Sequence, residues 1–324
     1  MVNLIVAQLV NGVTLGGMYA LIALGYTLVY GILLMINFAH SELFMSGAFV
    51  GLGVMTLLTS SALIERVSWL GWLAPAQHFF TDGGVAGLIA MLAIVFLSSA
   101  IVVGIMGVLI ERLAYRPLRH APRLAPLISA VGVSIFLQNA VLLWIDSKQV
   151  PFPNPFGNTT AITIGDVSIS VLKVVIVVTA ITLMVGLDQF VSRTRMGKAM
   201  RATSQDREAA GLMGIDINAS IMLAFFIGPA LGAVAGIFSG MYYGSIVFSM
   251  GFLPGMKAFT AAVIGGIGNL RGAMLGGFVL GIIESMASGF LSTGYKDVIA
   301  FAILILVLIF RPGGLLGESV VEKV

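Results

Sequence analysis

Residues 33–47 read LLMINFAHSELFMSG. Asn37, His40, Ser41 and Glu42 fall within six residues, between two long apolar runs, and the first 60 residues hold no Lys or Arg. Such a stretch is either a short aqueous turn between two helices or the lining of a polar path through a membrane. The solvent around it decides the fold.

Composition identifies that solvent. Hydrophobic residues make up 59% of the 324-residue chain, charged residues 10%, and mean hydropathy is +1.07. A soluble domain carries about 25% charged residues, so most of this chain is solvated by lipid. The length allows roughly eight to ten spans at ~20 residues each, which leaves a single transmembrane domain over 1–324. The net charge of +3 does not point to nucleic acid, because Lys and Arg cluster at loops. With no Cys, disulfides, thiolate chemistry and Cys-based metal sites are excluded. The N-terminal MVNLIVAQLV lacks a positive n-region, so the first apolar segment is expected to remain as a span.

Outward from residues 33–47, apolar runs mark spans near 5–34, 43–60, 85–110, 125–145, 170–187, 217–240, 257–268, 273–290 and 298–310. The expectation is an all-α polytopic membrane protein of eight or nine transmembrane or partial helices. Arg112, Arg116, Arg119 and Arg123 form one basic loop; Arg193, Arg195, Lys198, Arg201 and Arg207 form another. The positive-inside rule places both in the cytoplasm, with Arg311 and the C-terminus. Trp69, Trp72, Trp144, Tyr242, Tyr243 and Tyr295 then fall at outside span ends, the headgroup level such rings prefer. Alternation puts the N-terminus outside and NFAHSE at the cytoplasmic end of the first hairpin. The 30-residue first run, with Asn11, Gly12, Gly16 and Gly17, also reads as a half-span followed by a full one. GGIGNLRG (265–272) reads as the end of a half-helix buried in protein, since irregular backbone is not tolerated against lipid. INFAHSELFMSGAFVG (36–51) and MGFLPGMKAFTAAVIGG (250–266) form a candidate internal repeat with broken helices, a common transporter plan.

Gly228, Gly232, Gly236 and Gly240 are spaced four apart and share one helix face; Gly268, Gly272 and Gly276 repeat the spacing, as do the pairs Gly277/Gly281, Gly12/Gly16 and Gly47/Gly51. Small-residue faces let helices approach closely in lipid. They read as packing within the chain, or as a dimer seam or sliding surface. Catalytic motifs are missing. The sequence has no HExxH; RMGKAM lacks the rest of a phosphate-binding loop, and GGIGNLRG carries Arg271 where a dinucleotide fingerprint needs its third Gly. A membrane-embedded enzyme would need paired acids or a basic phosphate clamp, which the dispersed polar residues do not supply. No metal ligand set or chain-bound cofactor is expected.

The loop 197–217, GKAMRATSQDREAAGLMGIDI, carries a different signal. Thr203 with Asp206 fits a helix N-cap, a helix-favouring run follows through Met213, and Gly214 suits a C-cap. Leu212, Met213 and Ile215 would then be exposed apolar residues on a short helix between spans. A membrane subunit needs such a helix to plug into a soluble motor; an amphipathic helix on the membrane surface is the other reading. A stand-alone channel or secondary transporter would not require it.

REAAGLMG places Glu208, Ala209, Ala210 and Gly214 in an E-A-A-x-x-x-G pattern that resembles the coupling loop of ABC importer permeases, without the I-x-L-P that completes the strict motif. That looser form resembles the branched-chain amino acid permease family, LivH-type. Residues 11–50, ERLAYRPLR (111–119), AAVIGGIGNLRGAMLGG (261–277) and RPGGLLG (311–317) extend the resemblance over nearly the whole chain. It implies a multi-pass permease of the bacterial inner membrane, paired with a LivM-like second permease, two ABC ATPase subunits that use ATP and Mg, and a periplasmic or lipoprotein substrate-binding protein. The implied cargo is branched-chain amino acids; urea, short amides or other amino acids are carried by similar architectures. Thr203, Arg207, Glu208, Ala209, Ala210, Leu212, Met213 and Gly214 are the implied ATPase-coupling residues.

Within that frame Asn37, His40, Ser41 and Glu42 are translocation-path candidates, because ionisable groups in membrane segments face the bundle interior or a water-filled cavity. The other reading is local: Asn37 or Ser41 as N-cap, and Glu42 near the positive helix end. Glu284, inside a span, calls for a structural partner; Lys257, which opens the 257–268 segment, either pairs with it or snorkels to the headgroups, and snorkelling is the preferred expectation. In the outside loop 146–169, PFPNPFGN is a rigid turn and ITIGDVSI a hairpin turning at Gly165-Asp166. That loop is either a simple lid or the surface where a binding protein docks.

Overall fold

The computed structural model describes residues 1–60, 74–119, 121–122, 124–145, 147–157 and 159–317, the side chains of 74–76 excepted. Lipid offers no partner to a bare peptide group, so each apolar run closes its own hydrogen bonds as a helix. The described helices are α1 (Val2–Leu33), α2 (His40–Thr59), α3 (Ala74–Asp82), α4 (Gly84–Ile110), α5 (Leu124–Ile145), α6 (Val171–Arg193), α7 (Arg195–Gln205), α8 (Arg207–Leu212), α9 (Ile217–Tyr243), α10 (Phe252–Gly265), α11 (Leu270–Phe290) and α12 (Lys296–Phe310). A π-turn at Glu111–Tyr115 and a 3₁₀ turn at Arg116–Leu118 prolong α4.

Eight of these segments are long and apolar enough to cross a membrane. The first is unbroken over 32 residues, so the half-span alternative for it falls. By contrast α10, with 14 residues, spans about 21 Å at 1.5 Å per residue, short of a ~30 Å hydrocarbon core. It ends where GGIGNLRG predicts: Gly266 and Gly268 take φ of 107° and 96°, and the break is roofed by protein. The Leu315 and Leu316 amides donate to the Ile264 and Gly265 carbonyls, and Asn269 Nδ2 donates to the Leu316 carbonyl. RPGGLLG therefore serves as a backbone patch over the end of α10.

The glycine stripes explain how these helices pack. A Cβ on Gly12 or Gly16 would press into the backbone of Ile282 or Phe278, and one on Gly277 into Ala20, so α1 and α11 meet almost backbone to backbone. On α9, Gly228 faces Gly25 of α1, Gly236 faces the Phe44 backbone of α2, and Gly240 faces Phe152 and Ile246. Gly47 and Gly51 answer from α2 against Ala233 and Ile237, and Gly272 and Gly276 close on the backbone of α10. These positions are taken up by packing within the chain. The core thus centres on α1 and α9, whereas α5 buries only Pro126 and Ala130 and α12 only Ala300.

Polar contacts collect at two ends. At the hairpin end, β2 (Thr160–Ile164) and β3 (Val167–Ser170) pair antiparallel around Gly165-Asp166, as the sequence predicts, and Asn3 of α1 donates to Asp166. Beside them β1 (Val150–Pro151) pairs with β4 (Ser245–Ile246). At the basic end Arg119 bonds Asn218, Arg271 bonds Asp188, and Arg207 reaches the Ile32 carbonyl. Trp69, Trp72 and Arg123, used in the topology reading, lie outside the described residues.

Candidate functional site

The opening polar stretch does not cap a helix. The residue preceding α2 is Ala39, in helical conformation with no side-chain cap, and Ser41 lies inside the first turn, donating to the Phe38 carbonyl at 2.8 Å. Asn37 is engaged elsewhere: its Oδ1 accepts from the Tyr115 hydroxyl at 2.7 Å. Asn37 and Ser41 as caps are therefore corrected, a side chain 78 positions away holding the amide that a cap would have used. Glu42, by contrast, does lie in the first turn of α2, near the positive helix end, as the local reading expects.

All four residues are buried, with 0–5% of their surface exposed. Glu42 Oε1 accepts from Ser134 of α5 at 3.3 Å, and Oε2 has no hydrogen-bond partner among the described residues. The Asn37 Nδ2 is unpartnered as well, and neither His40 ring nitrogen closes a well-shaped hydrogen bond. The imidazole stands edge-on to Tyr26, ring centroids 4.8 Å apart, in space left by Gly25 and Gly232. The start of α10 comes down on the same spot: a Cβ at Gly255 would lie 3.3 Å from the Tyr26 hydroxyl, and one at Gly251 2.8 Å from Glu42 Oε2. Two helix N-termini without side-chain caps thus converge on one carboxylate, one imidazole and one amide, all short of partners. Unpaired polar groups are costly in an apolar interior, so this cluster holds donors and acceptors left unused within the chain.

The 197–217 loop folds as two helices. Thr203 does not cap; it is buried inside α7 and donates back to the Ala199 carbonyl. The cap is Asp206, extended at φ −154°, whose carboxylate accepts from the Ala209 amide at 3.0 Å. Gly214, at φ 78°, stops α8 as expected, and the Ile215 amide returns to the Ala210 carbonyl. Of the eight coupling candidates, Glu208, Ala209, Leu212, Met213 and Gly214 face outward, Leu212 and Met213 at 89% and 82% exposure. Ala210 points into the bundle, Ile215 is half-buried, and Arg207 turns inward, its Nε and Nη2 at 3.1 and 2.6 Å from the Ile32 carbonyl. Burial, together with the nearby Arg119, lowers the Arg207 pKa from its ordinary value.

Lys257 does not snorkel. It is buried, with Nζ 2.6 Å from Glu284 Oε1 and 2.6 Å from Asp297 Oδ1, joining α10, α11 and α12 beside the Tyr19 ring. Glu284 thus has the structural partner expected of it, and that partner is Lys257. No sequence pattern points to Asp297 as third member, nor to Tyr26, Tyr115 and Ser134 around the polar cluster. The one available signal is ERLAYRPLR, a charged and aromatic run ending a span, whose Glu111 is fully buried and paired with Arg119.

A family model described as "Branched-chain amino acid transport system / permease component" matches residues 8–308. The "High-affinity branched-chain amino acid transport system permease protein BraD" of Pseudomonas aeruginosa is 47% identical over 323 residues, 98% of this chain and 97% of that one. The permease protein LivH of Escherichia coli K12, which carries the same description, is 44% identical over 320 residues, at 98% and 97% coverage. A probable LivH of Methanocaldococcus jannaschii is 28% identical, covering 92% of this chain and 88% of that one. No solved structure gives a significant match.

Proposed function

The chain belongs to the branched-chain amino acid transport permease family, and from that membership we propose that it is the membrane-spanning subunit of an ATP-driven importer for branched-chain amino acids, multi-pass in the bacterial inner membrane. The observation that carries this is the end-to-end match, at 44–47% identity, to permeases of that description. The whole chain acts as one permease domain. A second, LivM-like permease completes the path, two ATPase subunits supply the energy, and a binding protein delivers the solute. Under the positive-inside rule the basic end faces the cytoplasm and the hairpin end faces out.

Two features support the division of labour. At the basic end, α8 presents Leu212 and Met213 to solvent, an apolar knob that fits a groove on an ATPase. In the interior, Asn37, His40, Ser41 and Glu42 offer neutral and ionisable hydrogen-bonding groups to a zwitterion with an apolar side chain. These four residues form the chain's contribution to the path.

The test is purification of the tagged chain in mild detergent from its host, followed by reconstitution of what comes with it. A second permease and ATPase subunits are expected to co-purify. Leu212→Asp with Met213→Asp is expected to release the ATPases while keeping the second permease; a chain that comes down alone overturns the ATP-driven reading. In vesicles, Glu42→Gln and Asn37→Ala are each expected to slow uptake roughly ten-fold, the scale of one buried hydrogen bond to a charged group. Normal uptake and expression in both variants would remove these residues from the path.

A further inference from the structure

The break between α1 and α2, residues 34–39, carries Asn37 and leads directly into His40 and Glu42. Two side chains from the basic end grip it. Arg207, first residue of α8, places two N–H groups on the Ile32 carbonyl in the last turn of α1. Carbonyls there have no partner within the helix, and a cation near them is favoured by the helix dipole. No basic residue of α1 itself lies in that turn, so a residue 175 positions away fills the place. On the other side of the break, Tyr115 of the π-turn donates to Asn37.

The two grips are linked through the start of α9. Arg119 pairs with buried Glu111, the first residue of the π-turn, and donates at 2.6 Å to Asn218 in the first turn of α9, the helix that follows α8 after a short turn. A displacement of α8 thus has a direct route to the end of α1 through Arg207, and a route to the π-turn through the start of α9 and Arg119. Between the two grips sits Leu34, the one non-glycine residue with positive φ among the described residues, at 54°. A β-carbon in that region is sparsely tolerated, which marks Leu34 as the point where the chain turns under strain.

We propose that Arg207 and Tyr115 are positioning residues for transport, a two-point clamp through which movement of the ATPase-facing helix re-sets the 34–39 break and the polar cluster beyond it. This rests on α8 docking the ATPase, as proposed above, and takes Arg207 out of the docking surface. ATP binding would pull α8, α8 would pull the end of α1 through the guanidinium, and Asn37 would follow through Tyr115.

The absence of Cys from this chain permits a direct test in the reconstituted complex, with labelling read on this chain after the subunits are separated. Leu34, 66% exposed, is replaced by Leu34→Cys, and the labelling rate of that thiol is read with and without ATP plus vanadate. With the clamp intact, trapping is expected to change the rate several-fold. Arg207→Gln is expected to abolish the change with the ATPases still co-purifying, and to lower the ratio of solute moved to ATP hydrolysed roughly ten-fold, the scale of one charge-assisted hydrogen bond. Tyr115→Phe removes only the hydroxyl and should show the same pattern more weakly. Arg207→Lys, which keeps the cation but not the paired donors, should restore part of the change. No change in the intact protein, or a change that persists in both Arg207→Gln and Tyr115→Phe, overturns the clamp. Loss of the ATPases from Arg207→Gln also overturns it, by making Arg207 a docking residue. If instead Leu212→Asp with Met213→Asp fails to release the ATPases, the docking role of α8 falls on its own.

Discussion

Lys257 shows what one buried charge does among two of opposite sign. Its ammonium holds Glu284 and Asp297 together, so removing the cation strands two carboxylates, whereas neutralising Glu284 leaves an intact Lys257–Asp297 pair. Breaking a buried pair costs about 3–5 kcal/mol because the remaining charge is left unpaired. Lys257→Met should therefore lower the thermal stability of the detergent-solubilised chain by more than Glu284→Gln does. A thermal-shift series would decide it, and the reverse order would show that the ammonium was not what kept the acids in place. The same logic explains why snorkelling failed as an expectation: the side chain is long enough to reach the headgroups, but a carboxylate on α12 offers a nearer partner.

At the scale of single helices, a glycine's value depends on what faces it. Gly236 sits against the Phe44 backbone and has no room for a methyl group, while a Cβ added to Gly186 on α6 would meet nothing within 4 Å. Gly→Ala in a helix gains about 1 kcal/mol of propensity. Gly186→Ala should realise part of that gain, and Gly236→Ala should destabilise by forcing α9 away from α2. Opposite signs in chemical denaturation or thermal melting would bear this out; equal effects would mean α9 and α2 are not held by that contact. The apolar runs were legible in the sequence because lipid forces each into a self-bonded helix, so nearly every span boundary falls within a few residues of its run. Caps were less legible, because cap identity depends on backbone conformation and on distant competitors. Thr203 and Asp206 are both capable of capping, yet only Asp206 sits in extended backbone, and Asn37 is claimed by Tyr115. The polar cluster could be suspected from four residues close together, but its walls, Tyr26, Tyr115 and Ser134, come from three other parts of the chain.

Across the whole molecule, α1 runs from the hairpin end to the basic end. Its first turn donates to Asp166 of the β2–β3 hairpin, Gln8 accepts from Ser285 of α11, Gly25 makes room for His40, and Ile32 receives Arg207. Because it packs on α9 and α11 nearly backbone to backbone, α1 has few flexible side chains at those seams to absorb a displacement, and packed interiors transmit strain. A partner that seats on the hairpin would therefore be felt at the basic end, which the proposed delivery by a binding protein would require. Replacing residues 160–170 with a Gly-Ser segment of equal length removes the hairpin and the Asn3–Asp166 bond but leaves α8 untouched. Such a complex should keep its ATPases and hydrolyse ATP in detergent, yet loaded binding protein should no longer stimulate that hydrolysis. Stimulation that survives the replacement would place the docking surface elsewhere and make the hairpin a lid. Loss of the ATPases would mean that the hairpin is needed to hold the bundle itself together, in which case α1 is anchored at its hairpin end rather than signalled through it.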